Sequence, residues 1–380
     1  MSDVQALIEQ EFNLQDDLIH LNHAAVGPWP RRTVQAVEAF ARENNRIGSL
    51  HYAQWIQTET RLRERLARLI NAAAGDIALV KNTSEALSMV AWGLPWQAGD
   101  NIVISDEEFP SNRIVWESLK PRGVEVRQVN LHGETTPERA LINAMDSNTR
   151  LLAISSVQYA SGLRVNLDQL GEHCRKQEIL FCVDAIQSLG AIEMDVQACG
   201  ADFVMADGHK WMLGPEGLAL FYTRPQSRER LQLLEYGWHM VEQMGEFDNP
   251  EWTPAHSARR FECGSPNMLC IHALDASLAL LEEVGMATVQ QQIETHARAM
   301  FERIVQLENL ELLTGTGAGR FAGIVVFRHR KLTTDTLYQK LMDQQILCAK
   351  RGGGIRFSPH FYTPWAKIEQ GLQLANDCAG

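Results

Sequence analysis

The stretch ADFVMADGHKWMLGPEG, residues 201–217, sets Lys210 just past an aliphatic run, directly after His209 and before a turn holding Gly214, Pro215 and Gly217. A lysine there is either a solvated cap or an amine held for reaction. An ammonium that is partly desolvated near other cations gives up its proton readily, and the free amine attacks carbonyl carbon. Asp184 closes a second aliphatic run, ILFCV, and Gln187 follows three residues later. Burying a carboxylate at that point is costly unless something positive faces it, either a structural Arg or Lys or a cationic ligand.

Two strand ends of one sheet can present that amine and that carboxylate to one crevice. Pyridoxal phosphate needs both: an amine for its aldehyde, and a carboxylate that keeps its ring nitrogen protonated so that the ring draws electrons. Its phosphate needs a helix N-terminus with hydroxyls, because exposed backbone N–H groups and the helix dipole favour an anion. The segment LVKNTSEALSMVAWGL offers Thr83 and Ser84 at such a start. Taken alone, a Ser or Thr there is an ordinary helix cap.

The elements that must position these groups follow from the pattern of residues 75–225. The runs DIALV, NIVIS, VEVRQV, RLLAISSV, ILFCVDA, DFVMAD and LALFYT read as strands, and segments such as SEALSMVAWGL and LDQLGEHCRKQ read as helices between them. That alternation predicts an α/β fold with a mostly parallel, doubly wound sheet, whose ligands gather at the carboxyl ends of the strands. Beyond residue 270 long helical stretches precede two strand candidates, GIVVFRH and GIRFSP, as in a smaller α+β unit. The expected division is a large domain over 16–270 and a small C-terminal domain over 271–380, with residues 1–15 packing on the latter.

Composition narrows the partners. With 380 residues and a formal net charge of −12, the chain has no basic surplus with which to neutralise nucleic-acid phosphates. No run approaches the roughly 18 apolar residues of a membrane span. Seven cysteines without a CxxC pair suggest reduced thiols in the cytoplasm and no metal site.

From LNHAAVGP at residue 21 to GIRFSPHFY ending at 362, the chain resembles the class V branch of the fold-type I pyridoxal-phosphate enzymes. That branch includes cysteine desulfurases, selenocysteine lyases, isopenicillin-N-epimerase-like proteins, kynureninase and several aminotransferases. Its most specific part is VDAIQSLGAIEMDVQACGADFVMADGHKWMLGPEG, where Asp, Gln and His-Lys fall in the family's order. The resemblance implies Lys210 as the Schiff-base lysine, Asp184 as partner of the pyridinium nitrogen and Gln187 as donor to the phenolic oxygen. It implies Thr83, His209 and, more weakly, Ser84 at the phosphate, with Phe109 stacked on the ring. Phe109 has core packing as its other reading. RRFECGSPN resembles a segment that reaches the neighbouring subunit's cofactor, so Ser265 implies a homodimer. Arg356 matches the arginine that grips the substrate's α-carboxylate, with a surface arginine on an edge strand as its other reading. Asn22, His23, His51 and Trp55 resemble pocket-lining positions and equally fit structural roles.

Three departures stand out. Asp207 takes the place of a serine near the phosphate, and Gln158 and Tyr159 stand where relatives place an asparagine. Cys348 is the only cysteine near Arg356, and no flexible cysteine loop precedes it. The resemblance therefore implies an enzyme acting at the α-carbon of a small amino acid, aminotransferase-like, with C–S or C–Se β-elimination as the alternative and desulfurase chemistry behind it. Two other classes compete. The GTGAGRFAG stretch, with Gly317, Gly319 and Ala322, matches the GxGxxA of nicotinamide oxidoreductases, although a strand candidate rather than a helix follows it. A catalytically silent module is disfavoured by the joint presence of Asp184, Gln187, His209, Lys210 and Arg356.

Overall fold

The computed structural model describes residues 2–378. Thirteen strands form among them, in chain order β1 (Ile19–His20), β2 (Ile77–Val80), β3 (Asn101–Ser105), β4 (Glu125–Val129), β5 (Thr149–Ser155), β6 (Leu180–Asp184), β7 (Phe203–Asp207), β8 (Ala219–Thr223), β9 (Leu310–Leu312), β10 (Val325–His329), β11 (Ile346–Leu347), β12 (Ala349–Arg351) and β13 (Gly354–Phe357). Seven of them make the main sheet, in the order β2-β8-β7-β6-β5-β3-β4. β8 alone runs opposite to the other six strands.

Continuous aliphatic runs form the inner strands because both faces are covered. Along β3 and β5, Ile102, Ile104, Leu151 and Ala153 pack into one core layer, while Val103, Leu152 and Ile154 pack into the other. The strand at the far edge, β4, is only partly buried and carries Glu125 and Arg127. Charge on an exposed edge discourages pairing with another chain.

The four-stranded antiparallel sheet β12-β13-β10-β9 lies in the C-terminal part of the chain. The ILCAKRGGG stretch does not form one strand there. It divides into β11, which pairs in parallel with β1, and β12, which pairs with β13, leaving Cys348 between them. A loop followed by β10 occupies residues 315–323, so the glycines of GTGAGRFAG open no helix and the dinucleotide reading fails.

The expected boundary at 270/271 falls inside the helix Met268–Val284, which packs on the helices Arg31–Ile47 and Tyr52–Leu69. Near the N-terminus, Glu11 pairs with Arg32 at 2.8 Å and the Phe12 ring meets Phe361 edge-on. The first helix, Ser2–Glu11, therefore touches the Arg31–Ile47 helix, and the residue after it touches the C-terminal segment. Glu59, His239 and Glu262 converge in the interior, with Arg63 bridging the two carboxylates. No helix of the described residues is long and apolar enough to cross a membrane.

Candidate active site

The parallel strands of the main sheet end on one side, and their carboxyl ends carry the candidate groups. Asp184 is the last residue of β6, registered between Ser155 of β5 and Met205 of β7. Lys210 follows β7 by three residues, and Thr83 opens the helix after β2.

Lys210 is buried, and desolvation pulls its amine down to about 8, against the opposing charges of Asp184 and Asp207 and with the help of Arg356 and Arg351. Its Nζ lies 5.7 Å from the centre of the Phe109 ring, which is itself half exposed. Burial pushes Asp184 up to about 6, opposed by the backbone N–H of Ile186 at 3.0 Å and by the charge of Lys210. Among the described residues no Arg or Lys forms an ion pair with Asp184, so the structural salt bridge weighed from sequence is absent. Lysine and aspartate share one electrostatic environment, as a single crevice requires.

The lysine's place depends on Gly27. Its N–H donates to His209 O at 2.8 Å, and a Cβ there would come within 2.5 Å of Lys210 O. A Gly27→Ala substitution should displace the His209–Lys210 turn and lower turnover by about a hundredfold, the usual cost of misplacing a reacting group by about 1 Å. Steady-state rates, with the circular dichroism of the folded protein as control, check this.

At the helix Thr83–Gly93 the structure revises the capping expectation. Asn82 is the cap, accepting from Glu85 N at 2.9 Å, and this leaves the buried Thr83 Oγ1 without a partner. Asp207 accepts from Thr83 N at 2.8 Å, and its other oxygen stands 3.7 Å from His209 Nδ1, too far for a hydrogen bond. Burial pushes Asp207 up to about 6 and His209 down to about 4. Ser84 points elsewhere: it is exposed and donates to Ser111 Oγ at 2.9 Å.

Gln187 is held from two sides, donating to Ala24 O at 3.0 Å and accepting from Trp211 Nε1 at 2.9 Å. One of its amide hydrogens remains free. Gln158 donates to Glu108 at 3.0 Å and to Ser155 O, so its Oε1 is left buried and unpaired. Tyr159 turns its ring edge-on to Phe109. The sequence reading missed Glu108. Its carboxylate also accepts from Ser155 N and Asn112, and burial pushes it up to about 7. Nothing local to residues 105–109 signals the donors that converge on it from Ser155 at the end of β5 and from Asn112.

Arg356 lies on β13, only 2% exposed, and no carboxylate among the described residues is paired with it. Its guanidinium donates to Tyr159 O at 2.9 Å and Asn22 Oδ1 at 3.3 Å, while Nε has no partner. Burial draws it down to about 10, so it stays charged at neutral pH. His23 does not fill the substrate-binding place expected of it. It is fully buried, Nδ1 sits 2.9 Å from Ser358 O and Nε2 sits 2.6 Å from Tyr362 Oη, so neither ring nitrogen is free. His51 and Trp55 both face Glu43. Ser265 is exposed, lining a cavity of about 330 Å³ with Lys81, Glu85 and Asn267.

A mostly parallel α/β sheet whose strand ends hold a desolvated lysine against a buried aspartate defines an enzyme of the fold-type I class. The description "Aminotransferase class-V" matches residues 19–361, and the chain belongs to that family of pyridoxal-phosphate-dependent enzymes. A probable cysteine desulfurase of Methanothermobacter thermautotrophicus is 27% identical, with 98% of each chain covered. A cysteine desulfurase of Salmonella typhimurium is 29% identical, covering 82% of this chain and 77% of that one. Among solved structures, the apo cysteine desulfurase from Thermococcus onnurineus NA1 aligns with a TM-score of 0.87 at 23% identity, covering 97% of this chain and 96% of that one. A complex of the cystine C–S lyase C-DES with cysteine persulfide aligns with a TM-score of 0.89 at 24% identity, covering 96% and 99%.

Proposed function

We propose that the protein uses pyridoxal phosphate to remove the α-proton of a small α-amino acid and then expel its β-substituent, as a carbon–sulfur lyase that carries no persulfide on its own thiols. Arg356 is the observation that carries this reading. A buried guanidinium with no acid beside it is costly unless a ligand carboxylate supplies the counter-charge, and its fork suits that task. The unpaired Thr83 Oγ1, His209 Nδ1 and Gln158 Oε1 fit the same ligand set, since buried polar atoms seldom lack partners.

In this reading Thr83 and His209 hold the phosphate at the helix N-terminus. Asp184 keeps a proton on the ring nitrogen, the spare N–H of Gln187 faces the phenolic oxygen, Phe109 covers the ring and Lys210 takes the aldehyde carbon. When bound, the cofactor supplies an electron sink that makes the α-proton acidic. Arg356 orients the substrate by its carboxylate, and the Lys210 amine, near neutrality in pKa, is suited to hold the abstracted proton. A homodimer belongs to the proposal, and the exposure of Ser265 supports it, since only an exposed residue could meet a second copy of the chain. Seven unbridged cysteines fit a reducing cytoplasm.

The absence of a reactive thiol favours the lyase over desulfurase chemistry. Cys348 is buried and its thiol is pushed up to about 12. Burial raises the other six as well. A thiol held protonated is a poor nucleophile. Incubation with cysteine, cystine and other β-substituted amino acids should release keto acid, ammonia and the β-substituent together. Cys348→Ala should retain turnover within about twofold, as a buried residue away from the chemistry does. Amino-group transfer to an added keto acid without loss of the β-substituent would overturn the lyase reading in favour of transamination. Complete loss of turnover in Cys348→Ala would restore the persulfide route.

A further inference from the structure

The helix N-terminus at Thr83 already holds an anion of the protein's own. Asp207 Oδ1 takes the Thr83 N–H at 2.8 Å, the same donor an incoming phosphate would use. Around that carboxylate, two polar atoms stand without partners: Thr83 Oγ1, on a residue only 4% exposed, and His209 Nδ1. His209 Nδ1 stands 3.7 Å from Asp207 Oδ2, beyond hydrogen-bond reach, and the Thr83 side chain lies beside the same carboxylate. The carboxylate therefore fills part of an anion site and leaves the rest open.

We infer that Asp207 makes capture of the cofactor's phosphate proton-linked: the phosphate enters beside the carboxylate only when one extra proton is shared between the two. This rests on the cofactor assignment above. A phosphate monoester is already a dianion above about pH 7. Two anions at one helix N-terminus repel, and a nearby like charge favours the protonated form of one of them. Protonated, Asp207 donates its O–H to a phosphate oxygen, and Thr83 and His209 complete the shell.

The groups facing Asp207 are few. The helix contributes Thr83 N and Oγ1, the turn after β7 contributes His209 and Lys210, and β6 contributes Asp184. From β8 comes only Ala219, through backbone pairing. Of these, Asp184 adds negative charge, which strengthens the demand for a proton. Lys210 opposes it.

Pyridoxamine 5′-phosphate separates the two questions, because it lacks the aldehyde that Lys210 would attack. Its binding to the wild-type protein, Asp207→Ser and Asp207→Asn is measured by calorimetry from pH 6.5 to 8.5 in buffers of different ionisation heat. The wild-type protein should take up about one proton more per ligand than Asp207→Ser, and its affinity should fall about tenfold per pH unit relative to that variant. Asp207→Asn, which keeps an acceptor for Thr83 N, should behave as Asp207→Ser does. Pyridoxamine without phosphate should bind all three alike. Equal proton uptake in the wild-type and both variants overturns the inference, and so does weaker binding by both variants at pH 8.5. If pyridoxamine 5′-phosphate binds none of the three at any pH, the cofactor assignment itself falls.

Discussion

Replacing Lys210 by alanine should lower turnover by about a thousandfold or more and, with no amine added, abolish the visible absorbance of the lysine-linked cofactor. The lysine is the one buried amine of the crevice, and it serves both as the covalent anchor and as the proton carrier. Lys210→Arg should not rescue either property, because a guanidinium stays charged and cannot act as a nucleophile. The burial that draws Lys210 down to about 8 also sets a pH dependence. Only the neutral amine reacts, so at saturating cofactor, where the proton-linked capture of the phosphate no longer limits the rate, colour formation should speed up with pH and level off above about pH 8. An ordinary lysine would keep rising toward about pH 10. The melting temperature of the apo protein should hold or rise in Lys210→Ala, since a desolvated charge has been removed. Colour and turnover that survive the substitution would remove the basis of the proposed function.

The second large effect belongs to Arg356. Arg356→Met should lower kcat/KM by about a hundred- to a thousandfold, the range for losing one partner of a buried charge pair, with most of the change in KM for the amino acid. The visible absorbance should remain, because the cofactor's attachment does not involve this side chain. Arg356→Lys should recover little, since an ammonium cannot make the paired hydrogen bonds of the guanidinium fork. The guanidinium has two neutral acceptors and no acid, so the methionine variant should be no less stable than the wild-type apo protein by thermal melting. A folded Arg356→Met protein with unchanged KM would assign the arginine to structure instead.

The strands were legible because their signal is local. ILFCV, DFVMA and NIVIS are short aliphatic runs buried on both faces, and each ends where a polar residue breaks the run. Reading those ends placed Asp184 and Lys210 at one edge of one sheet. The state of each polar atom was not legible in the same way. Thr83 and Ser84 look equivalent in sequence, yet Asn82 takes the cap, Ser84 turns to Ser111, and only Thr83 keeps a free buried hydroxyl. His23 looked available until the fold brought Ser358 and Tyr362, 335 and 339 residues away, against its two ring nitrogens. Glu108 carries no local sign of its burial, because the Ser155 N–H that it accepts from lies 47 residues further along the chain.

By itself the sequence determined the family, the alternation of strands and helices, and therefore the side of the sheet on which the chemistry lies, because these depend on residue type and spacing along the chain. The tertiary structure alone decided which charges and hydroxyls were left without partners, because pairing is set by neighbours that only folding brings within about 3 Å. Asp207 shows the difference: its identity is written in one position, whereas its competition for the Thr83 N–H comes from a helix 124 residues earlier in the chain.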